Sequence, residues 1–170
     1  MADWERFVKA GLEISQRHGD LAAEAALRDR LGELKRDQGD WATAIASHKK
    51  AYSLCQERGD QAGCARALTN LGQVYRLQRR YGEAKQALEE ALASYREVQD
   101  PGGQAFALLN LGLVHYDEYQ WQEALACQQA AYQIWSETGN KEGMARTQHN
   151  MGITYQMMGD LSQAESSLQS

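Results

Sequence analysis

The sequence predicts an all-α protein built from repeated helix pairs, and three observations lead to this prediction. The chain of 170 residues has one proline and abundant Ala, Leu, Gln and Glu, a composition that favours helices. Nearly the same short word occurs three times at a constant spacing: NLGQVY from Asn70, NLGLVH from Asn110 and NMGITY from Asn150. A Gly-Asp or Gly-Asn pair recurs in the same register, at 19–20, 59–60 and 139–140.

Each repeated unit is predicted to hold two helices, because a Gly-Asp pair ends one helix and begins the next. Glycine tolerates the left-handed conformation that follows a helix, and Asp or Asn caps the next N-terminus. Residues 3–17 fit a second helix of an incomplete preceding unit. We predict first helices at 20–37, 60–78, 103–118 and 141–158, and second helices at 41–57, 81–98 and 121–138, with a stub from Leu161.

One junction lacks the Gly-Asp pair, and it shapes the predicted repeat boundaries. Pro101, in the stretch QDPGG, is predicted to form a turn in place of that pair. We expect a single array over residues 1–170. Its parts are a half repeat at 1–18, full repeats at 19–58, 59–98 and 99–138, and a truncated repeat at 139–170.

The glycine inside each repeated word needs a reason, because glycine in a helix costs about 1 kcal/mol relative to alanine. On the first helix of the second repeat, Leu68, Leu71, Gly72 and Tyr75 share one face by their spacing. On the second helix, Ala84, Leu88 and Ala91 form a matching stripe. We expect Gly72 to face small alanines, so that two helix backbones approach closely and offset the local cost.

Composition and motifs exclude several classes of function. The formal net charge of −5 and the pI near 5.4 argue against a general nucleic-acid binder, which needs a basic surface. The most apolar stretch, 105–116, is too short to span a bilayer, and the N-terminus does not resemble a secretory signal. We therefore expect a cytoplasmic protein without membrane contact.

The sequence also lacks the motifs of metal sites and enzymes. Cys55, Cys64 and Cys127 match no metal-binding spacing, and no nucleotide-binding or hydrolase motif occurs. We predict no catalytic residues, no metal and no cofactor.

At these repeated positions the sequence resembles the tetratricopeptide repeat family. The family pattern is met by Leu68, Leu71, Gly72, Tyr75, Ala84, Leu88 and Ala91. The unit, as from Asn70 to Asn110, is longer than the common period of about 34 and is similar in length to that of kinesin light chain and the Pins-type spindle adaptors. Arg28 and Lys35 of the first repeat depart from the pattern, because the family has apolar residues there. The resemblance implies a right-handed superhelical solenoid of antiparallel helix pairs.

The resemblance also implies where a ligand binds, because first helices of the family line a concave groove. Asparagine amides there can pair with the backbone of an extended peptide, and their arginine and apolar neighbours would select acidic flanks and an apolar anchor. The predicted groove residues are Arg66, Asn70 and Gln73 in the second repeat, Phe106, Leu109, Asn110 and Leu113 in the third, and Arg146, His149, Asn150 and Ile153 in the fourth.

Structural alternatives exist for the same residues. The asparagines could bridge adjacent first helices, Arg66 and Arg146 could be solvated charges, and Phe106 and Leu109 could pack inside the array.

Two hypotheses of function follow. The first is a non-catalytic scaffold or sensor module that binds a peptide of another protein in this groove. The alternative is a self-assembling segment that stacks or oligomerises through its exposed terminal helices, because an array normally ends in a helix with a polar outer face.

Overall fold

The computed structural model of the protein describes residues 2–159, which form eight helices. Their bounds are α1 Ala2–His18, α2 Leu21–Asp37, α3 Trp41–Glu57, α4 Gln61–Leu77, α5 Tyr81–Glu97, α6 Pro101–Asp117, α7 Trp121–Glu137 and α8 Lys141–Met158. The predicted all-α class is confirmed, and each predicted helix lies within two residues of an observed one. The predicted stub from Leu161 lies outside the described residues.

The junctions before α2, α3, α4, α6 and α8 follow one local design, in which an Asp or Asn side chain caps the helix. The side chain of Asp60 accepts a hydrogen bond from the backbone N–H of Gly63 at 2.9 Å, which caps α4, and Gly59 before it has a positive φ of 67°. Non-glycine residues take the same conformation at three later junctions, with φ of 59° at Arg79, 55° at Gln99 and 64° at Tyr119. The register of the repeat therefore imposes this backbone even where glycine is missing.

The predicted turn at Pro101 is wrong, because Pro101 is the first residue of α6. Proline suits this position, since the first helical N–H has no intrahelical partner and the fixed φ of proline matches a helix. Asp100 still caps the helix, and its carboxylate accepts from the N–H of Gly103 at 2.9 Å. Gln99 and Asp100 thus take the place of the Gly-Asp pair.

The described residues fall into two compact units that divide between Ser94 and Tyr95. In the first unit, α2 packs against α1, α3 and α4, and α3 packs against α4. In the second unit, α6 packs against α7, and α7 packs against α8. These helices thus pack on their neighbours in the chain, as a repeat of helix pairs requires.

The glycine of the repeated word lies directly beneath a side chain of the following helix. A Cβ at Gly72 would lie 2.5 Å from Cγ of Leu88, so a larger residue there would force Leu88 to move. The predicted close approach is therefore correct for Gly72, but its partner is Leu88 rather than an alanine. At Gly112 the approach is to the backbone, because a Cβ would lie 3.2 Å from the carbonyl oxygen of Ala124.

A second row of small residues packs under aromatic rings and was not predicted. A Cβ at Gly143 would lie 2.5 Å from the indole of Trp135, and Gly103 meets the ring of Tyr95 in the same way. These glycines occupy the same position in successive repeats, so the signal was present in the sequence. Each one lets the second helix of one repeat place a large ring against the first helix of the next.

The first repeat replaces apolar packing with an ion pair. Lys35 stands at the register of Tyr75, and its Nζ lies 3.0 Å from Oε1 of Glu5 on α1. Hydrogen bonds from Lys9 and Lys35 lower the pKa of Glu5 to about 2. Lys35, which departs from the family pattern, therefore joins α2 to α1 through this ion pair.

Within the described part of the chain, none of the helices is both long and apolar enough to cross a membrane.

Candidate functional site

The predicted groove residues of α4 are partly engaged with α2. Nε of Arg66 donates to Oδ2 of Asp29 at 3.0 Å, and Oε1 of Gln73 accepts from Nη1 of Arg36 at 2.6 Å. Both bonds join one first helix to the next. About half of the Arg66 side chain remains exposed to solvent.

The carboxylate of Asp29 lies in a buried cluster that the sequence did not reveal. It accepts from Nδ1 of His48 at 2.9 Å and from Arg66, and it is 4% exposed. Nδ1 of His48 donates to Asp29 in the tautomer that has its hydrogen on Nδ1, because a carboxylate oxygen accepts. His48 is fully buried under Gly32, at the register where Leu88 covers Gly72. The cluster therefore serves packing and hydrogen bonding between three helices.

The three asparagines lie in three different environments. Asn70 is 6% exposed, and its Nδ2 has no hydrogen-bond partner among the described residues. Asn110 is equally buried, but its Nδ2 donates to the carbonyl of Phe106 at 2.7 Å, one turn back on the same helix. Asn150 is half-buried and lines a pocket. The similar words therefore do not produce a uniform row of amides.

Of the predicted apolar anchors on α6, Leu109 belongs to the core. It is 3% exposed and packs with Ala105, Ala131 and Trp135, so we leave it out of the proposed site. Phe106 is half-buried at the edge of the same cluster. The guanidinium of Arg146 on α8 lies 5.2 Å from the centre of the Phe106 ring, a cation–π distance. This contact links the first helices α6 and α8.

The remaining predicted residues of α6 and α8 meet at a small pocket. Leu113 from α6 and Asn150 and Ile153 from α8 line a space of about 60 Å³, together with Tyr116 and Gln128. His149, one residue before Asn150, is exposed. Residues of the first helices α6 and α8, with Gln128 of α7, therefore line a hollow that bears both apolar and amide groups.

Gln128 reaches this pocket from the second helix α7 and was not predicted. It is 1% exposed, and its Oε1 accepts from Oγ1 of Thr154 at 3.1 Å. Its Nε2 is buried without a hydrogen-bond partner among the described residues. The sequence contained a signal for this residue, because Gln128 is a polar side chain at the repeat position where Leu88 is fully buried.

A larger cleft in the first unit lies between the second helices α3 and α5, above α4. Its volume is about 390 Å³, and its polar rim includes Lys49, Tyr52, Glu83 and Glu90. The hydroxyl of Tyr52 donates to Oε1 of Glu90 at 2.7 Å, which raises the pKa of Tyr52 to about 12. Glu83 accepts a hydrogen bond from Arg80. Both carboxylates at the rim of the cleft therefore have partners within the chain. Among residues 2–159, no three His, Cys, Asp or Glu side chains gather to hold a metal.

The repeat pattern also matches a family model. The model described as tetratricopeptide repeat covers residues 22–97 and 103–170. The chain belongs to the tetratricopeptide repeat family. In the predicted units, α2, α4, α6 and α8 are the first helices and α3, α5 and α7 are the second helices. No curated protein matches the sequence.

Solved structures share the fold of this tetratricopeptide repeat protein at low sequence identity. BtubC from P. vanneervenii matches with a TM-score of 0.76 at 18% identity, over 95% of this chain and 76% of BtubC. A kinesin light chain with TPR-like repeats from Podospora anserina matches with a TM-score of 0.69 at 17% identity, over 86% of this chain and 72% of that one. The predicted likeness to kinesin light chain repeats is therefore confirmed at the level of the fold.

A Rap protein complexed with Competence and Sporulation Factor is a further match. Its TM-score is 0.75 at 19% identity. The match covers 85% of this chain but 41% of the Rap protein, so this tetratricopeptide repeat chain spans about two fifths of that length.

Proposed function

We propose that this tetratricopeptide repeat protein is a non-catalytic scaffold or sensor module that binds an extended peptide segment of a partner protein along its first helices. The observation that carries the proposal is the hollow between α6 and α8, lined by Leu113, Asn150 and Ile153. A solved structure of the same fold holds a bound factor, which supports a binding role for such repeats.

The chemistry of these helices indicates the kind of peptide. Leu113 and Ile153 offer an apolar surface, and half-buried Asn150 offers a donor and an acceptor for a peptide backbone. Arg146 is exposed beside Phe106 and can pair with a carboxylate. The proposed partner is therefore a segment with an apolar anchor and acidic flanks.

On α4 we propose Arg66, Asn70 and Gln73 as a further contact surface of the same protein. Nδ2 of Asn70 is buried and has no hydrogen-bond partner among the described residues, so a peptide carbonyl pairs with it only if neighbouring side chains move aside. Phe106, Asn110 and His149 complete the proposed set on α6 and α8.

We also propose that the protein acts in the cytoplasm. This compartment keeps thiols such as the buried Cys55 reduced.

The test is selection of peptides on the intact chain from a displayed random library, followed by affinity measurement with labelled peptides. Ile153→Asp places a charge in the hollow, and we expect it to weaken binding at least tenfold, since one buried apolar contact is worth about 1–2 kcal/mol. Gln133→Asp, exposed on the second helix α7, is the matched control and should bind normally. Equal affinity of both variants would place the binding surface elsewhere.

Self-assembly is the second candidate function, and the outer face of α1 favours it. Trp4, Phe7 and Ile14 lie on one side of this helix and are 55%, 71% and 57% exposed, while Val8 and Leu12 pack on α2. We propose that this apolar stripe pairs with the same stripe of a second copy. Light scattering over a concentration series should show a dimer that Phe7→Glu disrupts, whereas a monomer at millimolar concentration excludes it.

A further inference from the structure

We infer that the pocket around Gln128 is a selective subsite of the proposed peptide groove, one that takes a short side chain bearing a hydrogen-bond acceptor. This inference rests on the proposed function, because the pocket opens between the same first helices. The occupant is a Ser, Thr, Asn or Asp side chain of the bound segment.

The unpaired amide of Gln128 is the first support. Oγ1 of Thr154 lies 3.1 Å from Oε1 of Gln128 and 2.9 Å from the carbonyl oxygen of Asn150, so these two acceptors share its one hydrogen. Nε2 is buried and has no partner among the described residues. Buried polar groups in folded proteins are almost always paired, and an oxygen atom placed in the pocket would pair this one.

The register of the repeat is the second support. Leu88 occupies the position of Gln128 in the preceding repeat and is fully buried. Val74 and Val114 occupy the position of Thr154 and are fully buried as well. Apolar side chains thus suffice where Leu88, Val74 and Val114 stand. In the first repeat the register of Gln128 holds the buried His48, whose Nδ1 is paired with Asp29, whereas Nε2 of Gln128 has no partner among the described residues.

The dimensions and walls of the pocket set the size of the occupant. About 60 Å³ is available, which is room for a few non-hydrogen atoms. Leu113 and Ile153 form apolar walls, and Asn150 adds an amide at the rim. A long or aromatic side chain exceeds this volume, and a short aliphatic one would leave Nε2 of Gln128 without a partner.

The test compares the wild-type chain with the double variant Gln128→Leu, Thr154→Val, which reproduces the residues found at the same register in the preceding repeat. Random peptides are selected on each protein, and the residue preference at each peptide position is read by sequencing. We expect wild type to prefer Ser, Thr, Asn or Asp at one position, and the double variant to prefer Ala or Val there. A wild-type peptide should bind the double variant about tenfold more weakly, while thermal unfolding shows equal or higher stability.

The outcomes separate this inference from the proposed function. If wild type selects peptides that Ile153→Asp rejects, but the double variant keeps the same preference and affinity, the subsite is disproved and the groove stands. If wild type selects no peptide, both proposals fall.

A second readout does not depend on the fold of the variant. The side-chain amide resonance of Gln128 in ¹⁵N spectra of wild type should shift with a selected peptide. It should not shift when the acceptor residue of that peptide is replaced by Ala. An equal shift with both peptides overturns the inference.

Discussion

The side chain of Leu88 lies on the backbone of Gly72, so close that a Cβ on the glycine would be 2.5 Å from Cγ of the leucine. Both residues are fully or nearly fully buried, and Leu88 has no exposed surface. The contact accounts for a glycine inside a helix, because the packing it permits between α4 and α5 offsets its poor helix propensity.

Gly72→Ala should therefore lower the free energy of unfolding by about 1–3 kcal/mol, the usual cost of overpacking a core. Gly82→Ala is the matched control, because Gly82 is exposed in α5 and a Cβ there meets nothing within 4 Å. The control should be neutral or stabilising. Urea unfolding followed by circular dichroism measures both, and a stabilised Gly72→Ala variant would contradict the assignment.

Removal of the buried carboxylate of Asp29 should destabilise the first unit. Asp29→Ala leaves Nδ1 of the fully buried His48 without its acceptor, which we expect to cost about 2–4 kcal/mol. Asp37→Ala removes an exposed carboxylate at the end of the same helix and should change stability by less than about 0.5 kcal/mol. The midpoints of thermal unfolding should separate the two variants clearly; equal midpoints would refute the role of the cluster.

The left-handed junction at Arg79 predicts a stabilising substitution. Arg79 has φ of 59°, whereas Gly39 at the same register has 77°. Arg79→Gly removes the steric cost of that conformation and should raise stability by about 0.5–1 kcal/mol. The preceding residue is the control: Gln78 has φ of −82°, so Gln78→Gly should lower stability by a similar amount. Chemical denaturation of both variants tests the opposite signs.

The thiol of Cys55 should be unreactive in the native protein. It is 2% exposed, and desolvation by burial raises its pKa to about 11. Only the thiolate reacts with alkylating reagents, so modification at pH 8 should require unfolding. Peptide mapping after iodoacetamide treatment, with and without urea, measures this, and rapid native labelling would contradict it.

The same pKa shift carries a stability prediction of definite sign. Because the folded pKa lies above the ordinary value of 9.0, the native state holds this proton more tightly than the unfolded state does. The contribution of the neutral thiol is complete below pH 9 and is lost as the pH rises through 11. Cys55→Ala should therefore show less loss of stability between pH 9 and 11 than wild type.

The helices and their order were predictable because their signals are local. Capping residues such as Asp60, and the periodic apolar faces between caps, act within a few residues of one another. The error at Pro101 was also local, since proline is compatible with both a turn and a helix start. At Arg79 and Gln99 the backbone takes the left-handed conformation found at the glycine junctions, although this conformation costs a non-glycine residue about 1 kcal/mol.

The environments of the site residues were not predictable from spacing. Leu109 and Asn110 are neighbours on the predicted groove face, yet Leu109 packs with Trp135 in the core and Asn110 bonds to its own helix. Gln128 lies on the second helix α7, whereas all the predicted groove residues lie on first helices. Its polar role depends on Thr154, which lies on the following helix α8.

The sequence by itself determined the family, the repeat length, the helix pairs and the positions that must be small, because each depends on signals that recur in every unit. Only the tertiary structure decided which polar groups pair with each other, as Asp29 and Arg66 do. It also decided which atoms lack a partner among residues 2–159, as with Nδ2 of Asn70 and Nε2 of Gln128. The physical reason is that a hydrogen bond requires two atoms within about 3 Å. Periodicity places residues on a face, but only folded neighbours determine that distance.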